Sequence, residues 1–254
     1  MVHVGATPGT PRSALSVSRL VEEAATEAKK LAQAGFDGLI VENMHDAPYV
    51  HGQHLGPEQT AVMTLAAAAV RDVFEGPVGL QILSGGNRHA LACAHATGGS
   101  YIRCENFVFS HVADEGLLAE AEAGELLRYR RSIGADNVAI LTDIKKKHAS
   151  HALTSDISIR DAIEAAEFFG TDGVIMTGIA TGQVVSIHDL QEARHSASVP
   201  VLVGSGVKPE SVRELLDHAN ALIVGSYLKT DGKWYHPIDP QRADHIVRAR
   251  DGAG

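Results

Sequence analysis

The sequence holds two cysteines in 254 residues, Cys93 and Cys104, too few for a disulfide framework. Reduced thiols in a reducing, cytoplasmic compartment are the expectation. No apolar stretch approaches membrane-spanning length, and the N-terminus lacks a basic-then-apolar secretory pattern, so no membrane insertion is expected. Basic residues are in deficit: 22 Lys and Arg stand against 31 Asp and Glu, a formal net charge of -9. A nucleic-acid binder would carry a basic face, so no nucleic-acid partner is expected. A small anion stays open, because a few backbone amides and one or two cations suffice to hold it. There is no P-loop, which argues against nucleotide hydrolysis of that type. Ser84-Gly85-Gly86-Asn87 is glycine-rich but lacks the GxGxxG order of a dinucleotide site. No linker or low-complexity segment divides the chain, and the fourteen histidines are scattered rather than in a tract.

What is present is alternation. Apolar runs of strand length occur at Met1–Val4, Gly38–Glu42, Val78–Leu83, Tyr101–Glu105, Val138–Asp143, Gly173–Thr177, Val201–Val207 and Ala221–Ser226. Helical periodicity lies between them, over Leu20–Ala34, Pro57–Val73, Arg88–Thr97, Glu120–Ile133, Ile159–Phe169, Leu190–Ser196 and Ser211–His218. Strands that alternate with helices pair in parallel through right-handed crossovers. Eight such units within this length predict an α/β fold, a single (β/α)8 TIM barrel occupying residues 1–254 as one domain.

The last two strands each run into Gly-Ser. Gly204-Ser205-Gly206-Val207 and Gly225-Ser226 are tight turns that leave backbone N–H groups unpaired. Two such turns after strands seven and eight predict a phosphate site, hence a phosphorylated small molecule as partner. Catalytic groups of a barrel stand at the C-terminal strand ends. Those ends supply His3, Glu42-Asn43 with Asp46, Arg103 with Glu105 and Asn106, Asp143 with Lys145, Lys147 and His148, and Thr177-Gly178 followed by residues 179–182.

Asp143 and Lys145 form the sharpest pair, because a two-residue spacing points both side chains one way if strand geometry persists. A carboxylate beside a lysine suits proton transfer or orientation of a carbonyl. The alternative is a solvated basic loop, since Lys146 and Lys147 follow. Glu42, Glu105 and His3 complete the candidate acid–base set. Asn43, Asp46, Arg103, Asn106, Lys147, His148, Thr177 and Gly178 are candidate substrate contacts. Arg103 and Glu105 could equally pair with each other, and Asn43 and Asp46 could be turn residues. No cofactor is required by any motif. A divalent metal is an option for His3, Glu42, Glu105 and Asp143, without a recognisable ligand spacing.

Phe107–Gly116 reads as a long connection, too apolar for an idle exposed loop, that serves as a lid or packs on another subunit. It predicts a homo-oligomer, with Ala149–Ser158 as a second flap. Two functions follow: an enzyme acting on a phosphorylated metabolite, by isomerase- or lyase-like chemistry, or a non-catalytic assembly factor that binds through Phe107–Gly116.

Four segments together resemble the BtpA/SgcQ family: Met1–Gly9, Val41–Asp46, Asp143–His148 and Gly204–Val207. Phe107–Gly116 and Asp143–Asp156 are similar to the branch of that family that includes animal members. The resemblance implies kinship with ribulose-phosphate-binding barrels. It implies no reaction: the family name comes from a cyanobacterial protein associated with photosystem I accumulation. Ser84–Asn87 and Phe107–Val112 depart from the cyanobacterial pattern, which sets this chain apart from that role.

Overall fold

A computed structural model describes residues 1–178 and 185–252. The chain divides into two compact units, Met1–Arg103 with Leu126–Ala139, and Cys104–Glu125 with Ile140–Gly254.

In the first unit, β1 (Val2–His3), β2 (Leu39–Glu42), β3 (Val78–Gln81) and β4 (Tyr101–Cys104) run in that order and in parallel. They alternate with α1 (Val17–Ala34), α2 (Pro57–Arg71) and α3 (Asn87–Thr97), and α4 (Ala123–Ser132) follows. Every residue of β2 and β3 is buried, as expected of parallel strands covered on both faces. Helix α1 buries Leu20, Ala24, Ala28 and Leu31, a stripe at helical spacing. It starts three residues before the apolar pattern does, because the Ser16 hydroxyl accepts the Arg19 N–H. Gly35 closes it with φ 91°, a left-handed turn that glycine adopts without strain. Gly79 pairs with Tyr101, whose ring occupies the space a Cβ would need, and the Tyr101 hydroxyl donates to the Leu39 carbonyl at 3.0 Å.

The second unit opens with β5 (His111–Ala113) and β6 (Gly116–Leu118), an antiparallel hairpin. Then come β7 (Ala139–Ile144), β8 (Ala149–Ser150), α5 (Ile159–Phe168), β9 (Gly173–Met176), α6 (Ile187–Ser196), β10 (Val201–Val203), α7 (Val212–Leu216), β11 (Ala221–Leu222) and α8 (Pro240–Asp251). The strands β7, β9, β10 and β11 are parallel neighbours in that order. Ser158 and Asp161 cap α5 reciprocally, each side chain accepting the other's backbone N–H at 3.0 Å. Eight parallel strands thus alternate with helices along the chain, in the order expected from the sequence.

Three expectations change. The helix expected from Glu120 begins at Ala123, because the Glu122 and Ala123 amides bond back to the Asn106 and Phe107 carbonyls, each at 3.0 Å. The Phe107–Gly116 connection is no lid of exposed aromatics: Phe107 is 0% exposed and belongs to the core. The expected second flap instead supplies β8, which pairs with β5 through Val112–Ser150 and Ala113–Ala149 to make a three-stranded antiparallel sheet. Val112 and Leu117 are the apolar side chains this sheet exposes. Both cysteines are free and buried. No helix among the described residues is long and apolar enough to cross a membrane.

Candidate functional site

In the second unit the polar residues gather around the segment that follows β7. The strand ends at Ile144, and Lys145 takes φ 45°, so the two-residue alternation expected to align Lys145 with Asp143 is lost there. The Lys145 ammonium donates to the Thr154 carbonyl at 3.3 Å. Lys146 takes the central place instead. Its Nζ lies 3.0 Å from Glu105 Oε1 and 3.8 Å from Glu115 Oε1, and all three side chains are at least nine-tenths buried. Burial opposes the Lys146 charge, but Glu105, through its charge and hydrogen bond, and then Glu115 and Asp143 outweigh it, and the pKa rises. Lys146 is therefore a fixed cation at neutral pH, suited to stabilising negative charge and unsuited to Schiff-base formation.

Lys147 turns the other way along the chain. Its backbone N–H donates to Thr177 Oγ1 at 2.9 Å, and its ammonium donates to Ser205 Oγ at 3.0 Å. Ser205 begins the first expected phosphate turn. Gly204 belongs to the sheet, since its amide donates to the Met176 carbonyl at 2.8 Å. Among the described residues the amides of Ser205, Gly206 and Val207 have no hydrogen-bond partner. Gly206 has φ 72°, the left-handed conformation found in backbone turns that accept anions. In the second turn Gly225 and Ser226 precede a short 3-10 turn, Ser226–Leu228, and their amides are likewise unspent. Thr177 and Gly178 end the described part of their loop, and residues 179–182 lie outside the described residues. His148 is exposed, with φ 56°.

Asn106, Phe109, Lys145 and His148 all have left-handed φ between 45° and 59°. Non-glycine residues take this conformation at a cost of about 1–3 kcal/mol each, and such strain concentrates at functional sites. Asn106, Phe109 and Lys145 line one small cavity together with His111, Asp143 and Lys146. His111 is 5% exposed. Burial first, then Lys146 and His151, push its pKa down to about 4 against the pull of Glu105. Above about pH 6.5 the imidazole is neutral in both folded and unfolded chains. As pH falls from there through 4, the unfolded chain takes up a proton that the folded one refuses, and stability is lost. The full loss is roughly 3 kcal/mol. His111→Gln should therefore flatten the acid limb of stability measured by urea unfolding from pH 7 to 4; parallel limbs for both proteins would contradict it. The pKa of the Cys104 thiol is pushed well up by burial and by Glu122, Asp143 and Glu105, which disfavours the thiolate.

The first unit carries a second polar row. His3 pairs with Glu42, and Glu42 with Gln81, across β1, β2 and β3. His3 Nε2 lies 3.5 Å from Glu42 Oε2. Arg103 follows Ile102 as Gln81 follows Leu80, the Ile102 partner, and is buried. Asn43 and Asp46, expected as substrate contacts, are spent on the backbone of this unit. Asp46 accepts the Thr7 N–H at 2.7 Å, the Thr7 hydroxyl at 2.9 Å and Asn43 Nδ2 at 2.8 Å. Asn43 Oδ1 accepts the Leu83 N–H at 2.7 Å, and its Nδ2 reaches the Leu83 carbonyl at 3.3 Å. These two side chains tie the loops after β1, β2 and β3 together through partners 39 and 40 residues away in sequence.

For a metal, the group of three ligand types within 4.8 Å of one another among the described residues is His188, Asp189 and Glu192. It lies on the surface of α6 and differs from the set expected from sequence. Sequence reasoning ranked Lys146 below Asp143 and Lys145 and gave Glu115 and His111 no site role of their own. The hairpin that brings Glu115 and His111 to Lys146 has no local motif, whereas the LysLysLys run itself was visible.

The BtpA family model matches residues 1–252. An uncharacterized mitochondrial protein of Caenorhabditis elegans is 44% identical over 253 residues, covering 98% of this chain and 90% of that one. The photosystem I biogenesis protein BtpA of Synechocystis sp. is 36% identical over 252 residues, covering 98% and 86%. Among solved structures, thiamine phosphate pyrophosphorylase from Pyrococcus furiosus aligns with a TM-score of 0.59 at 10% identity, over 92% of this chain and 93% of that one. N-(5'-phosphoribosyl)anthranilate isomerase from the same organism aligns with a TM-score of 0.59 at 14% identity, over 91% and 95%. At such identities the likeness concerns the fold alone, which is the eight-stranded parallel α/β barrel of the TIM type.

Proposed function

The chain belongs to the BtpA family, and from that premise we propose that it is an enzyme acting on a phosphorylated sugar, nucleotide or related small metabolite. The observation that carries this reading is the Lys147–Ser205 pair set against the unspent amides of Ser205, Gly206 and Val207. A phosphate there would exchange the Ser205 hydroxyl for a charge-assisted bond to Lys147 and collect backbone donors at the same time. Gly225 and Ser226 supply the second set of amides. That two solved structures of this fold are named for phosphate compounds, one of them an isomerase, supports the choice.

The reacting end of the substrate would lie against the residues that precede Lys147. Asp143 serves as proton acceptor and donor, and the Lys146 ammonium, held by Glu105 and Glu115, stabilises negative charge developing on an adjacent oxygen. Acid–base chemistry of that kind suits isomerisation or lyase cleavage at a carbon next to a carbonyl. His3 and Glu42 form a further acid–base pair in the first unit. The buried free thiols fit a reducing compartment such as the cytoplasm.

A thermal-shift series with phosphorylated compounds and their dephosphorylated counterparts tests the reading. A substrate at a hundredfold its Kd should stabilise the fold by about 2.7 kcal/mol, and its phosphate-free counterpart should not. Equal shifts for both members of every pair, or none, would contradict it. A second reading, an assembly factor, draws on the name of the 36% identical Synechocystis protein. On that reading Phe107 is buried and unavailable, and Val112 and Leu117 are the exposed apolar side chains that the hairpin offers a partner.

A further inference from the structure

The cavity behind the β5–β6–β8 sheet measures about 30 Å³ and is lined by Asn106, His111, Asp143, Lys146, His151 and Thr154, among others. That volume holds one or two non-hydrogen atoms rather than a ring. Two of the residues that line it each carry a buried polar atom with no hydrogen-bond partner among the described residues, Asn106 Oδ1 and His111 Nε2. The residues that carry them are 6% and 5% exposed. Buried polar atoms are ordinarily satisfied, so an orphaned pair in one cavity points to a missing group.

The chemistry of that group is constrained from each side. Asn106 Nδ2 donates to the Glu120 carbonyl at 2.6 Å, which fixes the amide and leaves its oxygen as an acceptor. The incoming group must therefore donate. A carboxylate cannot. An ammonium can, but it would stand beside Lys145 and Lys146, which line the same cavity. A hydroxyl fits both demands, giving its proton to Asn106 Oδ1 and accepting from His111 Nε2 as an N–H. His151 is occupied elsewhere, its Nε2 2.9 Å from the Lys146 carbonyl.

We infer that this cavity binds a hydroxyl at the non-phosphate end of the substrate, with Asn106 and His111 as the residues that select hydroxyl over carboxylate. The inference rests on the phosphate reading given above and names the substrate class within it: phosphorylated polyols rather than phosphorylated acids. The chain itself joins the two ends. Lys145 and Lys146 line the cavity, and Lys147, the next residue, reaches Ser205 at the phosphate turn. The depressed basicity of His111 keeps it neutral at physiological pH, as a hydrogen-bond partner of a neutral group should be.

The test uses calorimetric titration of the whole protein with glycerol 3-phosphate, 3-phosphoglycerate and inorganic phosphate. The two organic probes differ in one group, a terminal hydroxymethyl against a carboxylate. Glycerol 3-phosphate should bind roughly tenfold or more tightly than 3-phosphoglycerate, the size expected when one buried acceptor is satisfied rather than opposed. Asn106→Leu should erase that preference and leave inorganic phosphate affinity within about twofold. His111→Gln, which keeps a neutral polar group, should retain part of the preference, and it serves as the readout if Asn106→Leu fails to fold. Equal affinities for the two probes in the parent protein would overturn the inference, as would an unchanged preference in both variants. The latter outcome would mean that the cavity holds solvent only. Failure of inorganic phosphate itself to bind the parent protein would instead remove the phosphate reading on which the inference stands.

Discussion

Replacing Lys146 with Met is expected to destabilise the folded protein by about 3–5 kcal/mol, because it leaves buried carboxylates without their cation. Glu105 lies 3.0 Å and Glu115 3.8 Å from the ammonium, and neither side chain has much access to water. A methionine fills the space of the lysine stem but returns none of the charge. Against a total stability of about 5–15 kcal/mol for a protein domain, such a loss would move the urea midpoint far toward zero. Glu105→Gln placed in the same chain should recover part of the loss, since it removes a buried charge that Lys146 no longer offsets. Equilibrium unfolding in urea measures both effects. A change below about 1 kcal/mol would mean that Lys146 behaves as a surface lysine and that the buried ion cluster does not exist in solution.

The second large effect concerns chemistry. Asp143→Asn keeps the size of the side chain but removes its capacity to take a proton, and turnover should fall by about 10²–10⁴-fold. The affinity for a phosphate-bearing ligand should stay within a few-fold, because the anchor we propose for it is at Ser205–Val207 and Gly225–Ser226 and not at Asp143. Single-turnover measurements beside binding titrations separate the two quantities. Turnover close to that of the parent protein, with a correctly folded variant, would remove Asp143 from the acid–base role. Loss of binding with no change in the chemical step would place it among the substrate contacts instead.

The architecture was legible because parallel strands buried on both faces leave continuous apolar runs, such as Leu39–Val41, and because helix ends carry their own chemistry. Pro57 opens one expected helix and Gly35 follows the end of another, and the structure keeps both, whereas the last helix, Pro240–Asp251, was not anticipated. The helix start near Glu120 was misread because tertiary bonds from Asn106 and Phe107 hold the preceding residues, and no local pattern records them.

Some of the candidate residues were legible as neighbours and others were not. Ser205, Lys147 and Thr177 were chosen from strand ends alone, and the structure brings them together. Lys145 and Lys146 could not be ranked from sequence, because their order depends on one left-handed residue at the end of β7. A strand that continued by one residue would have given Lys145 the place Lys146 holds. Asn43 and Asp46 have the same residue types whether they touch a substrate or a backbone amide, and only the distances to Thr7 and Leu83 decide it. His111 carried no signal at all, since its neutrality and burial come from a hairpin folded against residues more than thirty positions away.

The most direct test of the account is the affinity for inorganic phosphate of the parent protein and of Lys147→Met, measured by titration calorimetry. The account predicts saturable binding to the parent and a loss of roughly tenfold or more in the variant, the size of one charge-assisted hydrogen bond to an anion. Equal affinity in the two proteins, both shown to be folded, would contradict the claim that Lys147 and the Ser205 turn form a phosphate site.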